Sequence, residues 1–129
     1  MTKKKKPISI ASRKAKARVA QNWAAKKIAS LLGVDWGKDC VVAPREMGQS
    51  GVDVRLVADA KDDFPWSVEV KNQETWNVPA AIRQAKDNQM NSTDWLVVMK
   101  KNQHDYVVVL DGDVFFDLLR LIPGRRKGR

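Results

Sequence analysis

Two continuous apolar runs restrict the folds open to this chain more than any other feature. They are DWLVVMK (94–100) and YVVVLD (106–111), both rich in Val and separated by the polar segment KNQHD. An apolar run without polar alternation is typical of a strand covered on both faces, as in sheets that carry helices on both sides. The two runs therefore predict buried strands of an α/β protein.

The other periodic segments complete an alternating order of helices and strands. The patterns predict, in chain order, a basic amphipathic helix over 12–33, strands over 40–44, 52–59 and 66–71, a helix over 78–90 capped by Asn77, and a helix over 112–122. The strands over 52–59 and 66–71 both alternate apolar and polar residues, and the turn-forming AKDDFP lies between them. This arrangement predicts an antiparallel hairpin.

Length and composition are those of one ordinary domain. The chain has 129 residues, of which 43% are hydrophobic, and it contains no apolar run near the roughly 18 to 20 residues of a membrane span. The N-terminal MTKKKKPISIAS lacks the apolar stretch of a secretory signal. Cys40 is the single cysteine, which favours a reducing compartment. A cytoplasmic protein without a membrane partner is expected.

Charge is distributed unevenly along the chain, which has a net charge of +9. Residues 1–27 hold ten Lys/Arg and no acid, and residues 118–129 hold five Lys/Arg and no acid. The centre, 28–117, has nine bases against fifteen acids, a net charge of −6. Basic ends around an acidic centre suit a nucleic-acid enzyme, although the ends could also be solvated tails such as a localisation signal. We predict a basic flexible tail over 1–11, one domain over 12–122 and a basic tail over 123–129.

The segment FPWSVEVKNQETW (64–76) carries the candidate chemistry. Glu69 and Lys71 are two residues apart on a strand, so both side chains project to one face about 6.6 Å apart. Asp53, on the preceding strand, can lie beside them. Two carboxylates suit Mg²⁺, with the carbonyl oxygen of Val70 as a further ligand, and the lysine can position a water or offset charge on a phosphate. These residues predict metal-dependent hydrolysis of a phosphodiester.

SGVDVRL (50–56) and SVEVKNQ (67–73) resemble the aspartate and E-x-K strands of the PD-(D/E)XK nuclease superfamily. The order of elements and the basic first helix are most similar to those of small phage and archaeal-type Holliday junction resolvases. The resemblance implies a restriction-endonuclease-like αβββαβ core with a mixed central sheet flanked by helices. It also implies a homodimer that uses Mg²⁺, with Mn²⁺ substituting, to cut branched DNA in the cytoplasm of a bacterial, archaeal or phage-infected cell.

The first helix departs from the resolvase pattern. Such enzymes place a glutamate there to complete the metal shell, whereas here the helix has no acid and Gln21 stands near that position. Either Glu46 takes over or the site holds metal with fewer charges. Gln73 and Gln84 resemble polar positions that bond the phosphate or the attacking water.

The remaining candidates concern DNA contacts and the function class. The predicted DNA-binding residues are Arg13, Lys14, Lys16, Arg18, Gln84 and Trp76. Three functions remain open: a Holliday junction resolvase-like endonuclease, a non-specific or restriction/nicking-type endonuclease, and a non-catalytic DNA-binding protein on the nuclease fold.

Overall fold

The fold is that of a computed structural model, which describes residues 9–46 and 48–124. Within these residues it has four helices and five strands. In chain order the elements are α1 (Ile10–Leu32), β1 (Val42–Pro44), β2 (Val54–Leu56), α2 (Asp59–Asp63), β3 (Trp66–Asn72), α3 (Val78–Asp87), β4 (Asp94–Lys100), β5 (Val107–Leu110) and α4 (Gly112–Arg120). The predicted α/β class is confirmed.

Helix α1 has clear sequence signals at both ends. The hydroxyl of Ser9 accepts a hydrogen bond from the backbone N–H of Ser12, and Gly33 ends the helix with a φ of 68°, a left-handed conformation that glycine adopts without strain. The helix begins at Ile10, two residues before the predicted start at residue 12. Residues 1–8 and 125–129 of the two predicted basic tails lie outside the described residues.

The strands form two sheets. β1 and β2 make a two-stranded antiparallel sheet with Val42 opposite Leu56 and Pro44 opposite Val54. β3, β4 and β5 make a mixed sheet in that order, in which β3 is parallel to β4 and β4 is antiparallel to β5. The expected mixed sheet is therefore present with three strands.

The predicted hairpin between 52–59 and 66–71 is wrong, because β2 pairs with β1 and not with β3. The segment predicted as a turn contains the short helix α2. Pairing with β1 places Val54 and Leu56 in the same core as Val42. A backbone hydrogen bond from Asp53 N to Val68 O, 2.9 Å long, still connects the start of β2 to β3.

Helices cover both faces of the mixed sheet. On one face, alanines of α1 pack with Val68, Val70 and Val98. On the other face, Ala81 and Ala85 of α3 pack with residues of β4 that include Val97 and Met99. Residues 67–70 of β3 are consequently buried on both sides of the strand, so any polar side chain there needs a partner.

β5 lies at the edge of the sheet. It was predicted as a buried strand, but Val107 and Val108 are 39% and 47% exposed, because no element of the described residues covers its outer side. The α4 helix that follows contains no buried residue. In the described part of the chain, no helix combines the length and the apolar character needed to cross a membrane.

Candidate active site

Asp53 is held against β3 at two points. Its backbone N–H donates to Val68 O at 2.9 Å, and its Oδ2 accepts from the backbone N–H of Val70 at 2.7 Å. The side chain is buried, with the residue 3% exposed. At this edge of β3, Asp53 thus makes hydrogen bonds that a neighbouring strand would otherwise make. The backbone of β3 therefore fixes the orientation of the Asp53 side chain.

Glu69 and Lys71 project from β3 toward α3. The Lys71 ammonium lies 3.6 Å from Glu69 Oε1 and donates to Gln84 Oε1. Asn88 Nδ2 donates to Glu69 Oε2 at 3.3 Å. Gln84 of α3 and Asn88, the C-cap residue of that helix, therefore position the lysine and the glutamate.

The electrostatics of Glu69 are unusual for a carboxyl group. Burial, reinforced by repulsion from the Asp53 carboxylate, raises the pKa of Glu69 from 4.5 to about 7. The Lys71 ammonium and the hydrogen bond from Asn88 act in the opposite direction but do not compensate. Two carboxylates in a buried site thus have too little positive charge around them, which is the condition in which a bound cation stabilises both.

Strand β3 also directs a backbone carbonyl, that of Val70, toward Asp53. Pro65 O and Gln73 N both bond to β4, so the odd-numbered residues of β3 direct their backbone groups toward that strand. The even-numbered residues point to the opposite edge, as the bond from Val70 N to Asp53 shows. Since the N–H and C=O of one strand residue share an edge, Val70 O lies on the Asp53 side.

Gln21 and Arg45 complete the surroundings of Asp53. Gln21, 7% exposed on α1, donates to Asp53 Oδ1 at 3.4 Å. The guanidinium of Arg45 lies 3.4 Å from the same oxygen and also donates to Gly51 O at 3.3 Å. Gln21, the residue of α1 near which the resemblance implies a glutamate, therefore contacts Asp53.

These groups line one cavity of about 370 Å³. Its walls include Asp53, Glu69, Val70, Lys71, Gln73 and Gln84, together with Arg13, Lys14, Lys16, Gln21 and Arg45. Lys16 forms an ion pair with Glu74 at 3.5 Å. The structure therefore brings the predicted catalytic residues together with three of the four predicted basic residues of α1.

The fourth basic residue, Arg18, lies just outside this cavity. It donates to Arg45 O at 3.0 Å and lines an adjoining cavity with Lys14, Gln21 and Glu46. Glu46 is exposed and does not line the Asp53–Glu69 cavity. Within residues 9–46 and 48–124, no three His, Cys, Asp or Glu side chains are grouped to bind a metal. The structure therefore does not bring Glu46 to the cavity lined by Asp53 and Glu69.

Trp76 also lies away from the cavity lining. It is partly buried against the α3 side of the sheet, and its indole N–H donates to Lys100 O at 3.1 Å. The ammonium of Lys101 lies 4.9 Å from the centre of its ring. These contacts give Trp76 a packing role.

Sequence reasoning did not select Arg45 or Asn88 as site residues. Asn88 follows Gln84 by four residues, so helical spacing could have placed both side chains over β3. Arg45 gave no such signal, because it reaches Asp53 through the pairing of β1 with β2. No protein-family model, curated protein or solved structure significantly matches this chain.

Proposed function

We propose that this protein is a Mg²⁺-dependent DNA endonuclease selective for branched DNA, similar in activity to a Holliday junction resolvase. The observation that carries the proposal is that Asp53, Glu69 and Lys71 line one cavity, together with basic residues of α1. Buried carboxylates beside a lysine can hold a metal ion that assists hydrolysis. The basic residues of α1 would attract the phosphate backbone of DNA.

The residues present fit a magnesium ion. Asp53 and Glu69 would supply hard oxygen ligands, and Val70 O lies at the edge of β3 that faces Asp53. Burial, together with the neighbouring Asp53 carboxylate, raises the pKa of Glu69 to about 7, and a bound cation would offset both effects. When bound, Mg²⁺ would polarise the phosphate and lower the pKa of a coordinated water.

The chain's own groups would orient the reaction. In hydrolysis the water oxygen bonds to phosphorus and the bond from phosphorus to the leaving oxygen breaks. The water loses a proton to solvent, and the leaving oxygen takes one up from solvent. Lys71, held between Glu69 and Gln84, would hold the water or offset charge on the phosphate. Gln73, exposed at the cavity wall, would donate to a phosphate oxygen.

Cleavage of a labelled four-way junction tests the proposal against a linear duplex of the same sequence, in Mg²⁺ and in EDTA. Lys71→Ala removes the ammonium at the site, and Lys61→Ala removes an exposed one on α2 as the matched control. We expect the wild type to make Mg²⁺-dependent nicks that are confined to the junction. Lys61→Ala should retain this activity, and Lys71→Ala should lose it. Asp53→Asn should abolish cutting while DNA binding persists or tightens.

The other outcomes separate the remaining functions. Equal cutting of both substrates would identify a non-specific or nicking endonuclease. Cleavage by Lys71→Ala at the wild-type rate would refute the site assignment.

A non-catalytic DNA-binding protein is the second candidate, and two contacts favour it. Arg45 and Gln21 both lie at Asp53 Oδ1, so a ligand position of the proposed metal already has partners from the chain. Tight binding of both substrates without cleavage would establish this candidate.

A further inference from the structure

Three neighbouring cavities form a row that begins at the cavity of the candidate active site. The adjoining cavity has a volume of about 370 Å³ and shares Lys14 and Arg45 with the first. It shares Arg18 with a third cavity of about 420 Å³, which we call the Trp36 pocket. Because each cavity has wall residues in common with the next, the row runs without a break across the surface of the protein.

Basic side chains line the row from end to end. Lys14 and Arg18 are four residues apart on α1, which is about one helical turn or about 6 Å along the axis. Lys38, from the loop after α1, lines the Trp36 pocket together with Arg18. Within the described residues, neither Lys14 nor Lys38 forms an ion pair. The cations of the row can therefore bind successive phosphate groups of a nucleic-acid strand.

Trp36 supplies an aromatic wall at the far end of the row. Its side chain is half-buried and packs against the core beside α1, and the ammonium of Lys26 lies 5.8 Å from the centre of its ring. The other walls of the Trp36 pocket are Arg18, Gly37, Lys38, Pro44 and Glu46. An aromatic ring among cations suits an unpaired nucleotide, because the base stacks on the ring while the phosphate meets the cations.

One acid, Glu46, lines both the Trp36 pocket and the adjoining cavity. Its carboxylate would repel a phosphate, but it can accept a hydrogen bond from the exocyclic amine of cytosine or adenine. Glu46 is therefore compatible with a nucleotide whose base, and not its phosphate, lies on the Glu46 side of the pocket.

The sizes of the cavities favour one strand over a duplex. Volumes of about 370 and 420 Å³ are those of sites that hold a small molecule such as a nucleotide, whereas a double helix is far wider. A base can stack on Trp36 only after it has left the stack of its own duplex. The row therefore fits a single strand that separates from its partner near the candidate active site.

We propose that the row of cavities binds an unpaired DNA strand, with its phosphates on Lys14, Arg18 and Lys38 and one base stacked on Trp36. The inference rests on the proposed function for the identity of the polymer, and it narrows the branched substrate to one with a single-stranded arm, such as a flap. It differs from what the resemblance implies, because the arms of a four-way junction are paired. Binding of the strand requires neither metal nor cleavage.

Fluorescence anisotropy of labelled DNA in EDTA tests the strand site with the full chain. The probes are a duplex with a single-stranded flap of about eight nucleotides and the same duplex without the flap. The wild type should bind the flap DNA at least about tenfold more tightly. Trp36→Leu keeps an apolar side chain against the core but removes the stacking ring. It should weaken flap binding about tenfold and leave duplex binding unchanged.

Two tryptophan variants serve as controls. Trp36→Phe keeps an aromatic ring and should retain most of the preference for the flap. Trp95 is also half-buried, with the Lys86 ammonium 5.9 Å from its ring centre, but it lines none of the three cavities. Trp95→Leu should therefore leave both affinities unchanged.

Lys38→Ala tests the same site without changing the core, because Lys38 is exposed. Loss of one phosphate contact should reduce the salt slope of flap binding by about 0.7. Lys61→Ala, which removes an exposed lysine of α2, should leave that slope unchanged.

Two results would overturn the proposal. One is a wild type that binds flap DNA no more tightly than the blunt duplex. The other is a Trp36→Leu variant that loses affinity for both DNAs equally, which would show that Trp36 only packs. Failure of the proposed function has a different signature, since it removes cleavage in Mg²⁺ and leaves the preference for the flap. Conversely, cleavage of a four-way junction without any preference for a flap would exclude only the strand site.

Discussion

Replacing Glu69 by Gln should stabilise the protein, and the gain should depend on pH. The pKa of Glu69 is about 7 in the folded state against 4.5 as its ordinary value. The folded protein therefore binds the proton more tightly than the unfolded chain. Stability attributable to this group is fully present below pH 4.5 and is lost as the pH rises through 7. Glutamine imitates the protonated form at every pH.

The size of the effect follows from the shift. One pKa unit corresponds to about 1.4 kcal/mol. The rise of the Glu69 pKa from 4.5 to about 7 therefore lowers the free energy of unfolding by about 3 kcal/mol when Glu69 is ionised. Glu69→Gln should recover about 3 kcal/mol at pH 8, and the gain should fall below about 1 kcal/mol at pH 5. The hydrogen bond from Asn88 to an oxygen at this position can persist in the variant.

Urea unfolding at pH 5, 6, 7 and 8 in EDTA, followed by tryptophan fluorescence, measures the free energy of unfolding. Glu46→Gln removes the same charge from an exposed loop residue and should change stability by less than about 0.5 kcal/mol. A Glu69→Gln gain that is the same at pH 5 and pH 8, or a loss at pH 8, would refute the reasoning. In 10 mM Mg²⁺ the wild type should gain stability and Glu69→Gln should not.

Other features of the chain lead to three more predictions. Arg45→Ala removes the guanidinium beside Asp53 Oδ1, so calorimetry should show Mg²⁺ binding on the order of tenfold more tightly; unchanged affinity would show that Arg45 does not compete. Gln21→Glu adds a third carboxylate at Asp53 and should lower stability in EDTA more at pH 8 than at pH 5, with Mg²⁺ reversing the loss; a pH-independent loss would contradict this. Deleting residues 1–6, which hold four lysines, should weaken DNA binding and reduce the salt slope by up to about 3 to 4 without moving the cut position. An unchanged slope would assign the tail another role.

Three of the four helices and most strands of the described residues could be predicted from local signals. α1 ends at Gly33 as expected, β4 occupies the predicted 94–100, and Asn77 caps α3 through the N–H of Ala80. Periodicity and capping depend on residues only a few positions apart. They are therefore readable before any tertiary contact is known.

Strand pairing was less predictable. Alternation in 52–59 indicated a strand with one buried side, and Val54 and Leu56 are indeed buried. The same alternation fits either neighbour, so it could not distinguish β1 from β3 as the partner of β2. Exposure of β5 was missed for a related reason, since an apolar run favours burial but does not show whether another element lies over the strand.

The sequence by itself determined which side chains are available for a site, namely Asp53, the E-x-K pair and the basic residues of the first helix. It also determined that the last helix is apolar. These follow from residue identity and local spacing. Only the tertiary structure decided that Asp53 bonds to the edge of β3, that Gln21 and Arg45 meet at its oxygen, and that Glu69 is buried with a raised pKa. Such properties depend on distances between segments far apart in the chain and on exclusion of water, which local periodicity does not encode.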